Sequence, residues 1–199
     1  MPTVVLFIEK TVLHFFLPSV ICSKKITGGT FCTMRPNDKN TMIFGCGNLI
    51  MGDDGFGPAV IDQLQQHYDL PADIQAIDAG TGVREYLFDY LLMEEGRPEK
   101  IIVLDAVDFV GRRPGEVFEI LPAEIPTKKI HDFSLHQFPT VNLLQELADN
   151  TGIKVQILAA QIKFIPEEIA PGLSPVMTEA VTATCEKLSQ ILSFRSKTR

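Results

Sequence analysis

Four aspartates and two histidines stand where this chain could do chemistry. Asp53 and Asp54 lie in the loop from Gly45 to Gly57, Asp78 precedes Gly80-Thr81-Gly82, and Asp105 sits in the apolar run KIIVLDAV. His131 and His136 come just before an amphipathic segment. Two carboxylates and an imidazole form a ligand set that suits zinc, nickel, iron or manganese and leaves coordination positions open. Spacing alone does not select that chemistry, because the candidates are scattered and no H-E-x-x-H occurs. Ordinary structural roles compete with it. Asp53 or Asp54 could cap the helix starting near Gly55, Asp105 could bond a neighbouring loop, and His136 could cap or pack at its helix start.

Other chemistries fit less well. A dinucleotide site needs G-x-G-x-x-G so that backbone amides can approach a pyrophosphate. This chain has G-C-G-N-L-I-M-G-D-D-G, with the third glycine displaced and two aspartates where the anion would sit. No Gly-Lys-Ser/Thr exists for a P-loop, and no G-x-S-x-G for a serine nucleophile. Cys46 follows a strand without a histidine nearby in sequence, and reads as a small buried apolar residue.

Placing the candidates on one edge requires a particular set of elements. Met42–Cys46, Ile74–Ala79, Lys100–Val107, Gly115–Leu121 and Val155–Ile162 read as strands, the third being a β-branched run that ends near Asp105. Between them, Phe56, Ala59, Val60, Leu64 and Tyr68 recur at helical spacing, as do Leu87, Tyr90 and Leu91 within Arg84–Glu95. Thr140–Asn150 is amphipathic, and Ser174–Leu192 is expected to be a closing helix capped by Ser174 with Pro175 in its first turn. Alternating apolar strands and helices predict a three-layer α/β/α sandwich with a mostly parallel twisted sheet of about five strands. Ligands of such sheets sit beyond the carboxyl ends of the strands, where Asp53/Asp54, Asp78 and Asp105 all fall.

The 199 residues suffice for one domain with an appendage. We expect residues 1–40 to be an N-terminal extension, either disordered or an artefact of start assignment, and residues 41–199 to be a single domain. Val4–Cys22 is oily, but Glu9, Lys10 and His14 interrupt it and no basic residue precedes it. It therefore matches neither a signal peptide nor a membrane span, and no stable membrane insertion is expected. Net charge is −7 overall, yet residues 41–194 hold 23 acidic against 10 basic side chains. A domain this acidic does not coat nucleic acid. Four cysteines without a C-x-x-C pair point to a reducing compartment, the cytoplasm.

The segment Gly45-Cys46-Gly47-Asn48-Leu49-Ile50-Met51-Gly52-Asp53-Asp54-Gly55-Phe56-Gly57 resembles the N-terminal signature of the hydrogenase maturation endopeptidases. These proteases remove a C-terminal extension from the large-subunit precursor of nickel–iron hydrogenases. Asp78-Ala79-Gly80-Thr81-Gly82, Leu104-Asp105-Ala106-Val107 and Ser134-Leu135-His136-Gln137 match in the same order, so the resemblance spans roughly Met42 to Leu192. It implies a metal and catalytic site of Asp54, Asp105 and His136. The acid of the first motif is Glu or Asp among relatives, and Asp54 is the shorter form. Asp78, Gly80, Thr81 and Gly82 would bind substrate beside the cleft, with His131 a surface or supporting residue. The resemblance further implies nickel carried by the substrate, other divalent metals also fitting the site, a hydrogenase large-subunit precursor as partner, and a monomer. Water could be activated by metal, by one carboxylate, or by Asp54 and Asp105 sharing a proton as in aspartic proteases. The alternatives are a non-enzymatic nickel-dependent chaperone of the immature subunit and a nucleotide-binding Rossmann-like protein.

Overall fold

The computed structural model describes residues 40–121 and 140–197. Strand β1 (Thr41–Cys46) leads through a single 3₁₀ turn (Gly52–Gly55) into helix α1 (Phe56–His67). After the two-residue β2 (Tyr68–Asp69) come β3 (Ile74–Gly80), α2 (Val83–Leu92), β4 (Lys100–Val107) and β5 (Val117–Ile120). Helix α3 (Thr140–Thr151), β6 (Lys154–Gln161), α4 (Pro175–Leu192) and β7 (Arg195–Ser196) complete the order.

The main sheet runs β3-β1-β4-β6-β5. Its first four strands are mutually parallel, and β5 pairs antiparallel with β6. Helices α1 and α4 cover one face and α2 and α3 the other, each face closing its own apolar cluster. The mostly parallel three-layer expectation therefore holds. It follows from strands that are apolar on both sides, because a sheet buried on two faces cannot alternate oily and polar residues.

Strand alternation decides which way each side chain points. Met42, Phe44 and Cys46 of β1 join the cluster under α2 and α3, whereas Ile43 joins the one under α1 and α4. On β4, Ile101, Val103 and Val107 face the first cluster and Ile102, Leu104 and Ala106 the second. Asp105 has the parity of Val103 and Val107, so it belongs to the α2/α3 face. Phe44 anchors that face against Tyr86 and Tyr90 of α2, at ring-centroid distances of 5.3 and 6.4 Å.

Two local expectations change. Ser174 occupies the N-cap position of α4, with Pro175 next, but its side chain makes no capping hydrogen bond to its own helix. Its hydroxyl donates instead to the Asp53 carboxylate at 3.0 Å. The second difference is a small antiparallel sheet, Tyr68–Asp69 with Arg195–Ser196, which ties the end of α4 to the end of α1. Two-residue strands carry no periodicity for sequence reading to find.

Candidate functional site

The topology switches direction between β1 and β4: the chain leaves β1 towards β3 on one side and returns to β4 on the other. Open α/β sheets bind ligands in the crevice at such a point. Gly45 is paired with Leu104, so Cys46, the last residue of β1, comes level with Asp105. Asp105 and Asp78 are thus not beyond the strand ends as expected: each lies two residues before the end of its strand, because β4 runs on to Val107 and β3 to Gly80. Strand β6 is parallel to β4, so α3, which feeds it, starts at the carboxyl edge and covers the face of Asp105.

The loop after β1 brings its aspartates back to this edge. Gly47 adopts φ +122°, and a Cβ there would lie 1.9 Å from the Asp54 carbonyl oxygen. Only glycine lets the chain fold back so closely. The Asn48 amide then donates to that carbonyl at 3.2 Å, and the Asp54 amide donates to the Met51 carbonyl at 3.3 Å. Gly57 serves the same end differently. A Cβ on it would meet the Cys46 oxygen at 2.3 Å and the Leu104 oxygen at 2.6 Å, so its absence lets the start of α1 sit directly on the ends of β1 and β4. The Gly47 amide donates across to the Gly80 carbonyl at 3.0 Å, joining this loop to the one after β3.

Neighbouring aspartates divide the work. Asp53 and Asp54 are only 1% and 2% exposed. Asp53 accepts from the amides of Lys163 (2.9 Å), Phe164 (3.3 Å) and Ser174 (2.7 Å), and from the Ser174 hydroxyl. Its carboxylate thus clamps the β6–α4 connection and caps no helix of its own loop. Asp54 lies close enough to Asp105 for its charge to be felt there. The pKa of Asp105 rises to about 7, first through its own desolvation and then through repulsion by Asp54. The Ala106 amide, donating to Asp105 Oδ1 at 2.9 Å, opposes the rise without cancelling it.

Cys46 lies among the same charges. Burial foremost, then Asp105, Asp78 and Asp54, push its thiol well above its usual range. A thiol so placed stays neutral and is no nucleophile, in line with its reading as a packing residue. Asp78 is exposed and its Oδ1 accepts the Gly80 amide at 2.9 Å, while the Gly82 amide closes the turn onto the Ala79 carbonyl at 2.8 Å. Thr81 is exposed at the tip of that turn.

The structure thus draws Asp54, Asp105 and Asp78 around Cys46 at one edge and sends Asp53 elsewhere. His131 and His136, with Ser134, Leu135 and Gln137, lie outside the described residues. Among the described residues no group of three metal-ligating side chains is assembled. Sequence reading missed Gln161, buried at the end of β6. Its Oε1 accepts the Phe109 amide at 2.8 Å and its Nε2 donates to Asp108 Oδ1 at 2.9 Å, bracing the loop after Asp105. A lone amide ending an apolar strand was the available signal.

Comparison with known proteins identifies the family. The family model for hydrogenase maturation proteases matches residues 58–191. The chain belongs to the hydrogenase maturation protease family. A protein of Methanocaldococcus jannaschii assigned to hydrogenase maturation proteases is 40% identical over 149 residues, covering 74% of this chain and 93% of the relative. The Hydrogenase 2 maturation protease of Escherichia coli is 24% identical over 149 residues, covering 74% of this chain and 87% of that one. The solved maturating endopeptidase HybD of Escherichia coli shares the fold with a TM-score of 0.63, at 23% identity and over 79% of this chain and 96% of its own. As a member of this protease family the chain is a hydrolase with a role in hydrogenase maturation, and the dinucleotide and chaperone alternatives give way to peptide-bond chemistry. Among the described residues no helix is long and apolar enough to cross a membrane.

Proposed function

We propose that this maturation protease removes the C-terminal extension of a nickel-loaded hydrogenase large-subunit precursor, with Asp54, Asp105 and His136 meeting the metal that the substrate carries. The observation behind the reading is the convergence of Asp54 and Asp105 at the switch point. The pair fits a cation: two carboxylates are crowded at a largely buried edge, and the groups bearing on Asp105 are burial, the Asp54 charge and one backbone amide. His136 precedes α3 by four residues in sequence, and α3 starts on the Asp105 face. Bound there, nickel would supply a Lewis-acid centre at the scissile segment.

This chain's own residues have separable tasks. An ionised carboxylate at a buried edge is suited to take a proton from water and return it to the leaving amine, which gives Asp105 that role. Asp54, held by the folded-back loop, completes the carboxylate pair. The Gly80-Thr81-Gly82 turn, stiffened by Asp78, offers exposed backbone to the substrate chain beside the cleft. Imidazole and carboxylates without a thiolate make a weak resident site, which suits a protease that reads the metal on its substrate. We place the enzyme in the cytoplasm as a monomer, in keeping with the free, buried thiols of Cys46 and Cys185.

The test is to incubate the protein with nickel-loaded and metal-free precursor and follow the C-terminal peptide by mass spectrometry. Release from the loaded precursor alone is expected. A stable complex without peptide release, or equal release from the metal-free precursor, would overturn the reading.

A further inference from the structure

Single exposed apolar side chains are ordinary. Two loops at the carboxyl edge, however, carry four of them on a shared rigid support. Leu49 and Ile50 are 52% and 44% exposed on the loop after β1; Phe164 and Ile169 are 56% and 70% exposed on the loop after β6. These loops are joined by main-chain bonds like those of a short parallel ladder. The Ala170 amide donates to the Ile50 carbonyl and the Gly52 amide to the Ala170 carbonyl, both at 3.0 Å. Packing is equally close, since a Cβ on Gly52 would stand 2.8 Å from Pro166 Cδ. Beneath them lies the Asp53 carboxylate, whose bond to the Lys163 amide spans 110 residues of sequence.

A buried carboxylate with four donors is a costly device for holding surface loops unless their geometry matters. We propose that loops 48–52 and 163–170 form one docking edge for the precursor polypeptide, with Leu49, Ile50, Phe164 and Ile169 as its apolar contacts. The proposal rests on the protease reading above and adds where the substrate chain is gripped. Continuity with the site identifies the occupant. Met51, the centre of the ladder, accepts the Asp54 amide, so an extended apolar segment lying on this edge passes within a few residues of the carboxylate pair. Backbone groups are already committed within the ladder, which leaves side-chain burial to supply the grip. Preorganised apolar contacts of this kind lower the entropy lost on binding.

The experiment compares Phe164→Ser/Ile169→Ser and Leu49→Ser/Ile50→Ser with a control, Phe88→Ser/Leu92→Ser, which alters exposed apolar residues of α2. Processing of nickel-loaded precursor is followed over a range of precursor concentrations, together with thermal melting and sedimentation of the free protease. Both edge variants should raise KM at least about tenfold, while kcat and melting temperature stay put and the control matches wild type. An unchanged KM in the edge variants, or an equal rise in the control, would overturn the docking edge. So would a wild-type dimer that the edge variants dissociate, because the patch would then be covered by a second copy of this chain. Wild-type protein that fails to process any loaded precursor defeats the underlying reading; wild type that processes while the edge variants match it defeats the docking edge alone.

Discussion

Asp105→Asn is expected to make this protein more stable and inactive at once. The substitution keeps the shape and leaves an Oδ1 to accept the Ala106 amide, which donates at 2.9 Å in the native protein. What it removes is a charge whose folded-state pKa stands at about 7 against 3.8 for an unperturbed group. About three units at 1.36 kcal/mol each would give roughly 4 kcal/mol of destabilisation once Asp105 is fully ionised. Asp105 keeps a partial opening to solvent, so we discount this to about 2 kcal/mol. The sign follows from proton counting. Between pH 4 and pH 7 the folded protein holds the Asp105 proton and the unfolded chain has released it, so wild-type stability falls as pH rises through that window and levels off above it. The Asn variant lacks this slope. Urea unfolding of both proteins in chelator, from pH 5 to pH 8.5, should show the advantage of Asn growing by about 1–2 kcal/mol. Precursor processing by the variant should be absent throughout. A gap that does not change with pH, or an Asn variant less stable than wild type at pH 8.5, would refute the argument that burial and Asp54 hold this proton.

The adjacent aspartate should behave in the opposite way. Asp53→Ala leaves four partly buried donors without their acceptor and is expected to cost about 2–3 kcal/mol in urea unfolding; loss of less than about 1 kcal/mol would show that the clamp is not needed. Asp54→Asn and His136→Ala are each expected to slow processing at least about 100-fold while two-state melting persists, and wild-type turnover in either would remove that residue from the site. Gly57→Ala drives a methyl into the Cys46 and Leu104 carbonyls and should cost about 3 kcal/mol by overpacking, with a downward shift in melting temperature as the readout.

The fold was legible because its signals are local. KIIVLDAV can hardly be anything but a buried strand, and Pro175 after Ser174 marks a helix start without reference to the rest of the chain. The convergence of Asp54 and Asp105 was legible too, once strand ends had been placed on one edge. Telling Asp53 from Asp54 took the family resemblance and could not be done from the residues themselves. Their types and neighbours are equivalent in the sequence, and they differ only because residues 163–174 return to supply donors for one of them. The same long-range contact explains Ser174, whose position suits a cap but whose hydroxyl finds a buried carboxylate instead. Cys46 was read correctly as packing, although the charges crowding its thiol depend on the pairing of β1 with β3 and β4, which no local pattern specifies.

The placement of Asp53 and Asp54 on a single 3₁₀ turn carries a consequence for how such a protein can vary. Successive residues on that turn point about 120° apart, so one carboxylate enters the clamp as the next is turned to the side of Asp105. Insertion of one residue between Gly47 and Asp53 would carry Asp53 to the place of Asp54, and deletion would carry Asp54 to the place of Asp53, so that in either case one of the two positions loses its carboxylate. Point changes among the exposed residues of the loop leave that phase intact. A library of variants should therefore tolerate many substitutions at Leu49 or Ile50 as far as folding is concerned, and reject almost every change in the loop's length.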